Sequence, residues 1–232
     1  MDDTTPNETS LGTTVVGIVA RTDTFQHAAD GDTGRDDAAD APRGAAGDAV
    51  VLASDRRASL GRMVSSKDAQ KVHPLGDSAA LAFTGSVSGA QALVADLDAE
   101  RRLYELRRGR TMSTTALAGY AASAMRRQPY GVQHLLGGVD ADRARLFTFD
   151  AGGSVLEQPF AADGSGGPFA YGTLEDGYEA GLSVADAEAL AARAVAAASE
   201  RDTASGNGLQ SVTLTAAGVD ARVYDDPDAV AS

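Results

Sequence analysis

Three short stretches hold residue types that could do chemistry together. Gly12, Thr13 and Thr14 stand just before a β-branched run. If the chain is cut after Gly12, the new α-amino group belongs to Thr13 and titrates at about pH 8 when unperturbed, close enough to neutrality for a general base. One residue then supplies nucleophilic hydroxyl and base together. The plain alternative is that two Thr open a β-strand. The second stretch is marked by scarcity, because Arg occurs 18 times and Lys only twice, with both Lys in residues 65–71. Lys is a compact charge whose proton affinity falls on burial, a property that a site uses and a surface does not need. Third, Asp55 ends an apolar run, where its carboxylate could pair with a buried Lys71 and orient it. A surface ion pair is the alternative there.

Other chemistries have little to work with. With no Cys, disulfides, thiolate metal sites and Cys nucleophiles are excluded. His27, His73 and His134 stand far apart in sequence, which argues against a zinc centre, so no metal and no cofactor is expected. The 33 acidic and 20 basic side chains leave a net charge of -13, which would repel nucleic acid and anionic membranes. Asp outnumbers Glu by 25 to 8, and this heavily solvated surface is expected to suit a halophilic cytoplasm. No apolar run approaches the roughly 20 residues that span a bilayer, and the acidic opening MDDTTPNETSLG lacks the basic and then apolar character of a secretory signal. A soluble, cytoplasmic protein is expected.

The elements that must hold these residues are readable from apolar spacing. Val15–Val19 and Ala49–Ala53 read as buried strands joined by a hairpin. Between them, residues 21–48 contain seven Ala, seven Asp and four Gly but no Val, Ile, Leu or Met, and read as a disordered acidic insertion at the hairpin tip. Strands are expected at 71–75 and 79–84, then two amphipathic helices, one from Val87 and one after the N-cap candidate Ser113. Strands return over 133–139, 146–150 and 154–157 and near Phe160. Helical spacing reappears at 169–178 and after Ser183, which with Asp186 makes a capping box. Two strands, 211–215 and 221–224, close the pattern before a polar tail that cannot comfortably extend a sheet. Strands, helices, strands, helices, strands is not βαβ alternation; it favours an α+β fold of antiparallel sheets covered by paired helices, and a four-layer α/β/β/α sandwich fits it.

From Gly12 to about Tyr224 the chain resembles the catalytic β-subunits of the 20S proteasome, particularly those of archaea. The resemblance rests on Gly12-Thr13-Thr14-Val15-Val16-Gly17, on Ala53-Ser54-Asp55-Arg56-Arg57-Ala58, and on Lys67-Asp68-Ala69-Gln70-Lys71. Further matches are Thr84-Gly85-Ser86-Val87 with Ala90-Gln91, then Gly164-Ser165-Gly166, Tyr171-Gly172 and Arg201-Asp202-Thr203-Ala204-Ser205-Gly206. Each piece is weak alone; their order and spacing make the match specific.

The resemblance implies the N-terminal nucleophile hydrolase fold and a threonine endopeptidase made as a precursor. Residues 1–12 would be a propeptide removed by self-cleavage between Gly12 and Thr13, leaving residues 13–232 as a single peptidase domain. By the same resemblance Thr13 is the nucleophile, its freed amine the base, Lys71 the charge that lowers local proton affinity, and Asp55 its anchor. The Gly85 N–H would donate to the oxyanion, and Ser165, Asp202 and Ser205 would complete the network around the Thr13 amine. Substrate contacts would come from Ala58, Ser59, Ala69, His73, Phe83 and Val87, with Phe83 shortening the pocket toward small or medium apolar residues. Three departures from the pattern are Val15, where many members have Thr and where the side chain is expected to turn away from the site, Gly167, where a second Ser is common, and the acidic insertion at 21–48, which is unusual for the family and is expected to face solvent or a neighbouring ring. The implied setting is a barrel of four seven-membered rings, with α-subunits outside and β-subunits inside, that receives unfolded proteins from an ATP-dependent unfoldase. The competing expectation is a structural β-subunit that fills a ring without cutting. A homomeric bacterial-type threonine peptidase is disfavoured by the GSG and RDTASG elements and by the long N-terminus.

Overall fold

The computed structural model describes residues 10–21, 48–60, 63–140 and 143–231. The two apolar runs that open the sequence form β2 (Val15–Arg21) and β3 (Asp48–Asp55), preceded by the short β1 (Ser10–Leu11). β2 and β3 pair antiparallel from Val15 opposite Ser54 to Arg21 opposite Asp48, the hairpin expected from sequence. Of the insertion read at 21–48, only Arg21 and Asp48 are described, and they belong to the strands; the expectation of disorder lies outside the described residues.

β4 (Ala58–Leu60) and β5 (Met63–Ser66) form a small hairpin of their own. β6 (Val72–Leu75) and β7 (Ala79–Ser86) follow, then α1 (Val87–Arg108) and α2 (Thr114–Arg127). Next come β8 (Val132–Val139), β9 (Ala144–Phe149), β10 (Val155–Glu157) and β11 (Phe160–Asp163). α3 (Gly167–Gly177), α4 (Val184–Ser199), β12 (Leu209–Thr215) and β13 (Gly218–Tyr224) complete the order, with a 3-10 turn at Pro227–Ala231. One antiparallel sheet has the order β1-β7-β8-β9-β10 with β6 also on β7; the other has the order β11-β2-β3-β12-β13.

Alternation along the strands sorts side chains into layers. On β3, Val50 and Leu52 join Val15, Leu135, Leu146, Val212 and Leu214 between the sheets. Their neighbours Ala49, Val51 and Ala53 turn the other way and meet Ala187, Leu190, Ala194 and Val195 of α4. On β7, Leu81 and Phe83 face Leu93 and Leu97 of α1 and Leu117 and Ala121 of α2. The result is the α/β/β/α sandwich, with α1 and α2 covering one sheet and α3 and α4 the other. The sheets approach closely where they lack side chains: a Cβ on Gly17 would fall 2.7 Å from Leu146 Cδ1, and one on Gly137 would fall 2.7 Å from Val50 Cγ1.

The helix starts are where the sequence puts them. Ser113 accepts from Ala116 N–H and Ser183 from Asp186 N–H, each satisfying an otherwise unpaired first-turn donor. The β4–β5 hairpin was not expected, because its residues, exposed over Met63–Ser65, carry no apolar alternation. β12 begins at Leu209 rather than Ser211. Val15, expected to turn away from the site, is fully buried in the layer between the sheets and serves there as core.

Candidate active site

The register of the β2–β3 hairpin brings the end of β3 beside the residues preceding β2, so Asp55 N–H donates to Thr14 O at 3.1 Å. The Asp55 carboxylate then collects four donors. Oδ1 accepts from Thr14 N–H (2.9 Å) and from Lys71 Nζ (2.7 Å), and Oδ2 accepts from the backbone N–H groups of Arg57 (3.0 Å) and Gly206 (2.9 Å). Both charged side chains of the Asp55–Lys71 pair are 0% exposed. Lys71 arrives from the other sheet, where β6 and β1 share one edge of β7 end to end, β6 along Ala79–Ala82 and β1 along Gly85–Ser86. It stands in the gap between them, its carbonyl accepting from Phe83 N–H. Burial holds the Lys71 ammonium below its ordinary range, while the Asp55 charge and hydrogen bond pull the other way. Burial with one dedicated counter-charge is the pattern that functional groups share.

The second hydrogen bond of Lys71 Nζ reaches Gly12 O at 3.3 Å. The ammonium therefore touches the carbonyl of the Gly12–Thr13 bond. Thr13 is buried; its N–H donates to Ser165 Oγ (3.1 Å) and its carbonyl accepts from Gly166 N–H (3.3 Å). Its Oγ1 has no hydrogen-bond partner among the described residues. A buried hydroxyl left unpaired costs stability and calls for a reason.

Beyond Thr13, Ser165 and Ser205 both donate to Asp202 Oδ2 at 2.6 Å, and Ala204 N–H donates to Oδ1 at 3.1 Å. Because Ser205 spends its proton on Asp202, the Thr14 hydroxyl must be the donor in its 2.8 Å contact with Ser205. Partial burial pushes the Asp202 carboxyl up, but the bonds from Ser165, Ser205 and Ala204 and the Lys71 charge outweigh it and hold it below its usual range. The network thus runs unbroken from the Thr13 backbone to a carboxylate that stays ionised.

Gly85 lies opposite Leu11 in the β1–β7 register, with φ at 106°, and a Cβ there would fall 2.4 Å from Gly131 O. Only glycine meets both demands. The chain before Thr13 consequently lies along β7 as an added antiparallel strand. Gly12 fits against the 203–206 loop because it lacks a side chain; its Cβ would overlap that of Ala204, 2.0 Å away.

The seven expected catalytic residues, Thr13, Asp55, Lys71, Gly85, Ser165, Asp202 and Ser205, therefore gather at one end of the interface between the sheets. The expected substrate contacts form a neighbouring group. Ala58 and Phe83, with Ala69 and Val87, belong to the apolar cluster under α1 and α2, His73 stacks on Phe83 with centroids 5.5 Å apart, and Ser59 is buried in β4. Phe83 is packed as core there. Three contributors were missed by sequence reasoning. Thr14 serves through its N–H and hydroxyl. Arg57 pins the 203–207 loop by donating to Thr203 O (2.8 Å) and Asn207 Oδ1 (2.9 Å). Gln210 accepts from Lys71 N–H. Gln210 carried no readable signal, being a polar residue just ahead of the strand expected at 211–215. Among the described residues no group of three or more His, Asp or Glu is arranged to hold a metal ion, and no helix is long and apolar enough to cross a membrane.

Comparison with known proteins bears on what such a site is for. A family model described as Proteasome subunit matches residues 45–214. The chain is 46% identical over 180 residues to the proteasome subunit beta of Haloquadratum walsbyi, covering 77% of this chain and 74% of that one. It is 48% identical over 179 residues to that of Halomicrobium mukohataei, covering 76% of each. It is 48% identical over 172 residues to that of Haloferax volcanii, covering 74% and 71%.

Proposed function

The chain belongs to the proteasome subunit family, and from that premise we propose that it is a cutting β-type subunit, a threonine endopeptidase that activates itself by breaking its own Gly12–Thr13 bond. The observation that carries this reading is the buried Lys71–Asp55 pair set against the Gly12 carbonyl, beside a Thr13 hydroxyl that has no hydrogen-bond partner among the described residues.

In self-cleavage Thr13 Oγ attacks the Gly12 carbonyl carbon, the C–N bond breaks, and the proton lost by the hydroxyl ends on the leaving Thr13 nitrogen, which becomes an amine. Gly12 is left as an ester on Thr13 Oγ. Water hydrolyses that ester, releasing a peptide that ends in the Gly12 carboxylate and restoring the Thr13 hydroxyl beside the free α-amine. In each later turnover this amine takes the hydroxyl proton as Thr13 Oγ attacks a substrate carbonyl, and returns it to the leaving nitrogen. The Lys71 charge lowers the proton affinity of hydroxyl and amine alike and stabilises negative charge developing at the carbonyl oxygen. Asp55 fixes Lys71, the Gly85 N–H supplies the second oxyanion donor, and Ser165, Ser205 and Asp202 orient the amine. A substrate strand would take the place of β1 along β7.

The same reading places the chain with other β-subunits and with α-subunits in seven-membered rings, fed with unfolded proteins by an ATP-dependent unfoldase in a salt-rich cytoplasm. A peptide aldehyde or vinyl sulfone tests the chemistry. Mass mapping should find one equivalent on Thr13 of the processed chain and none on a Thr13→Ala variant. Modification elsewhere, or none on a processed wild-type chain, overturns the threonine mechanism and favours a subunit that fills its ring without cutting.

A further inference from the structure

The two charges of the Asp55–Lys71 pair belong to different sheets, and an ion pair alone does not fix how far apart two sheets lie. Lys71 and Val72 stand at an edge: their side toward β7 is paired, Phe83 N–H donating to Lys71 O. On the other side their amides meet a side chain. Gln210 Oε1 accepts from Lys71 N–H (3.0 Å) and Val72 N–H (3.1 Å), and Gln210 Nε2 donates to Val72 O (2.8 Å). The three contacts admit one amide orientation, because both backbone groups on Oε1 can only donate. Gln210 is buried, and on β12 it sits opposite Ser54, next to the Leu209–Asp55 pair. The strand that flanks Asp55 thus holds the backbone of Lys71 through a side chain acting as a substitute β-ladder.

We propose that Gln210 is a positioning residue for the peptidase reaction, setting Lys71 Nζ against Asp55 and the reacting carbonyl by clamping the Lys71–Val72 backbone from the opposite sheet; the inference rests on the peptidase reading above. A shift of the Lys71 backbone moves Nζ relative to Gly12 O while the flexible side chain can still reach Asp55. The loss should therefore appear in the rate of the chemical step rather than in substrate binding.

The test uses full-length chain assembled with its partner subunits, carrying Gln210→Met, which matches length without hydrogen bonding, or Gln210→Glu, which keeps an acceptor and adds a charge. Gln210→Met should lower kcat for a fluorogenic peptide by about 10- to 100-fold with KM within about twofold, and slow loss of residues 1–12 in parallel. Gln210→Glu sets a carboxylate beside Lys71, favouring the protonated forms of Lys71 and the Thr13 amine, and should move the acid limb of the kcat profile to higher pH. A residue that merely holds the fold would change thermal stability and leave that profile alone. If Gln210→Met does not assemble, the Gln210→Glu profile decides. Unchanged kcat and pH profile in the assembled variants, or failure of both to assemble, overturns the proposal. Thr13→Ala separates the two readings: if it still loses residues 1–12, the peptidase reading falls; if it is blocked while the Gln210 variants behave as wild type, only the role of Gln210 falls.

Discussion

Lys71 and His134 are two buried titratable side chains in neighbouring parts of one sheet, and they differ in their company. Both are 0% exposed. Lys71 has a carboxylate at 2.7 Å and a carbonyl at 3.3 Å. His134, on β8, stacks on Phe149 with centroids 4.1 Å apart, lies opposite Phe83, and has no hydrogen-bond partner for either ring nitrogen among the described residues. Burial lowers the proton affinity of both, to about 3 for His134. In His134 this keeps the ring neutral, so that it packs as an aromatic. In Lys71 the partner keeps a charge available inside the protein. Burial alone therefore marks a packing group, and burial with a counter-charge and a reactive neighbour marks chemistry.

The comparison breaks if removing the Lys71 charge leaves chemistry intact. Lys71→Ala should reduce peptide hydrolysis by about 10³-fold or more and leave residues 1–12 attached, measured by fluorogenic assay and intact mass. Lys71→Arg should not rescue it, because the planar guanidinium does not fit a cavity shaped for one compact ammonium.

A second prediction separates energetics from chemistry. Asp55→Asn strands an uncompensated buried ammonium and should destabilise the chain by about 3–5 kcal/mol. Adding Lys71→Met to Asp55→Asn removes that charge and should recover most of the loss in denaturant titration while self-cleavage stays absent. Recovery of cleavage in the double variant would contradict the role given to the pair.

His134 supplies the contrasting pH effect. Its folded pKa, about 3, lies below its unfolded value of 6.5, so below pH 6.5 the unfolded chain binds a proton that the folded chain refuses. Stability from this residue is complete above pH 6.5 and falls with pH, by about 2 kcal/mol on reaching pH 5 at 1.36 kcal/mol per unit. His134→Phe should flatten that part of the stability profile with no change in the site. An unaltered slope would show that His134 finds a partner or solvent.

The smallest effect is expected at Ser165. Ser165→Ala removes the acceptor for Thr13 N–H and one donor to Asp202, and should slow self-cleavage by about tenfold, the scale of one hydrogen bond of about 1.4 kcal/mol. Ser165→Thr, which keeps the hydroxyl, should lose less.

Much of this was legible in sequence where local chemistry decides the outcome. Ser113 and Ser183 announce helix starts, the unbroken apolar run Val50-Val51-Leu52-Ala53 announces a buried strand, and two clustered Lys in an Arg-rich chain point to Lys71. Harder to read were features that exist only through pairing. β1 is a strand only because Leu11 finds Gly85. The β4–β5 hairpin carries no apolar period. Gln210 looks like a polar residue at a strand end until the opposite sheet brings the Lys71 and Val72 amides to it.

The most direct test of the central claim is the intact mass and N-terminal sequence of the assembled wild-type chain beside Thr13→Ala. The account predicts a wild-type chain that begins at Thr13 and a variant that keeps residues 1–12. A wild-type chain that retains residues 1–12 inside an assembled, peptide-cleaving particle would contradict it.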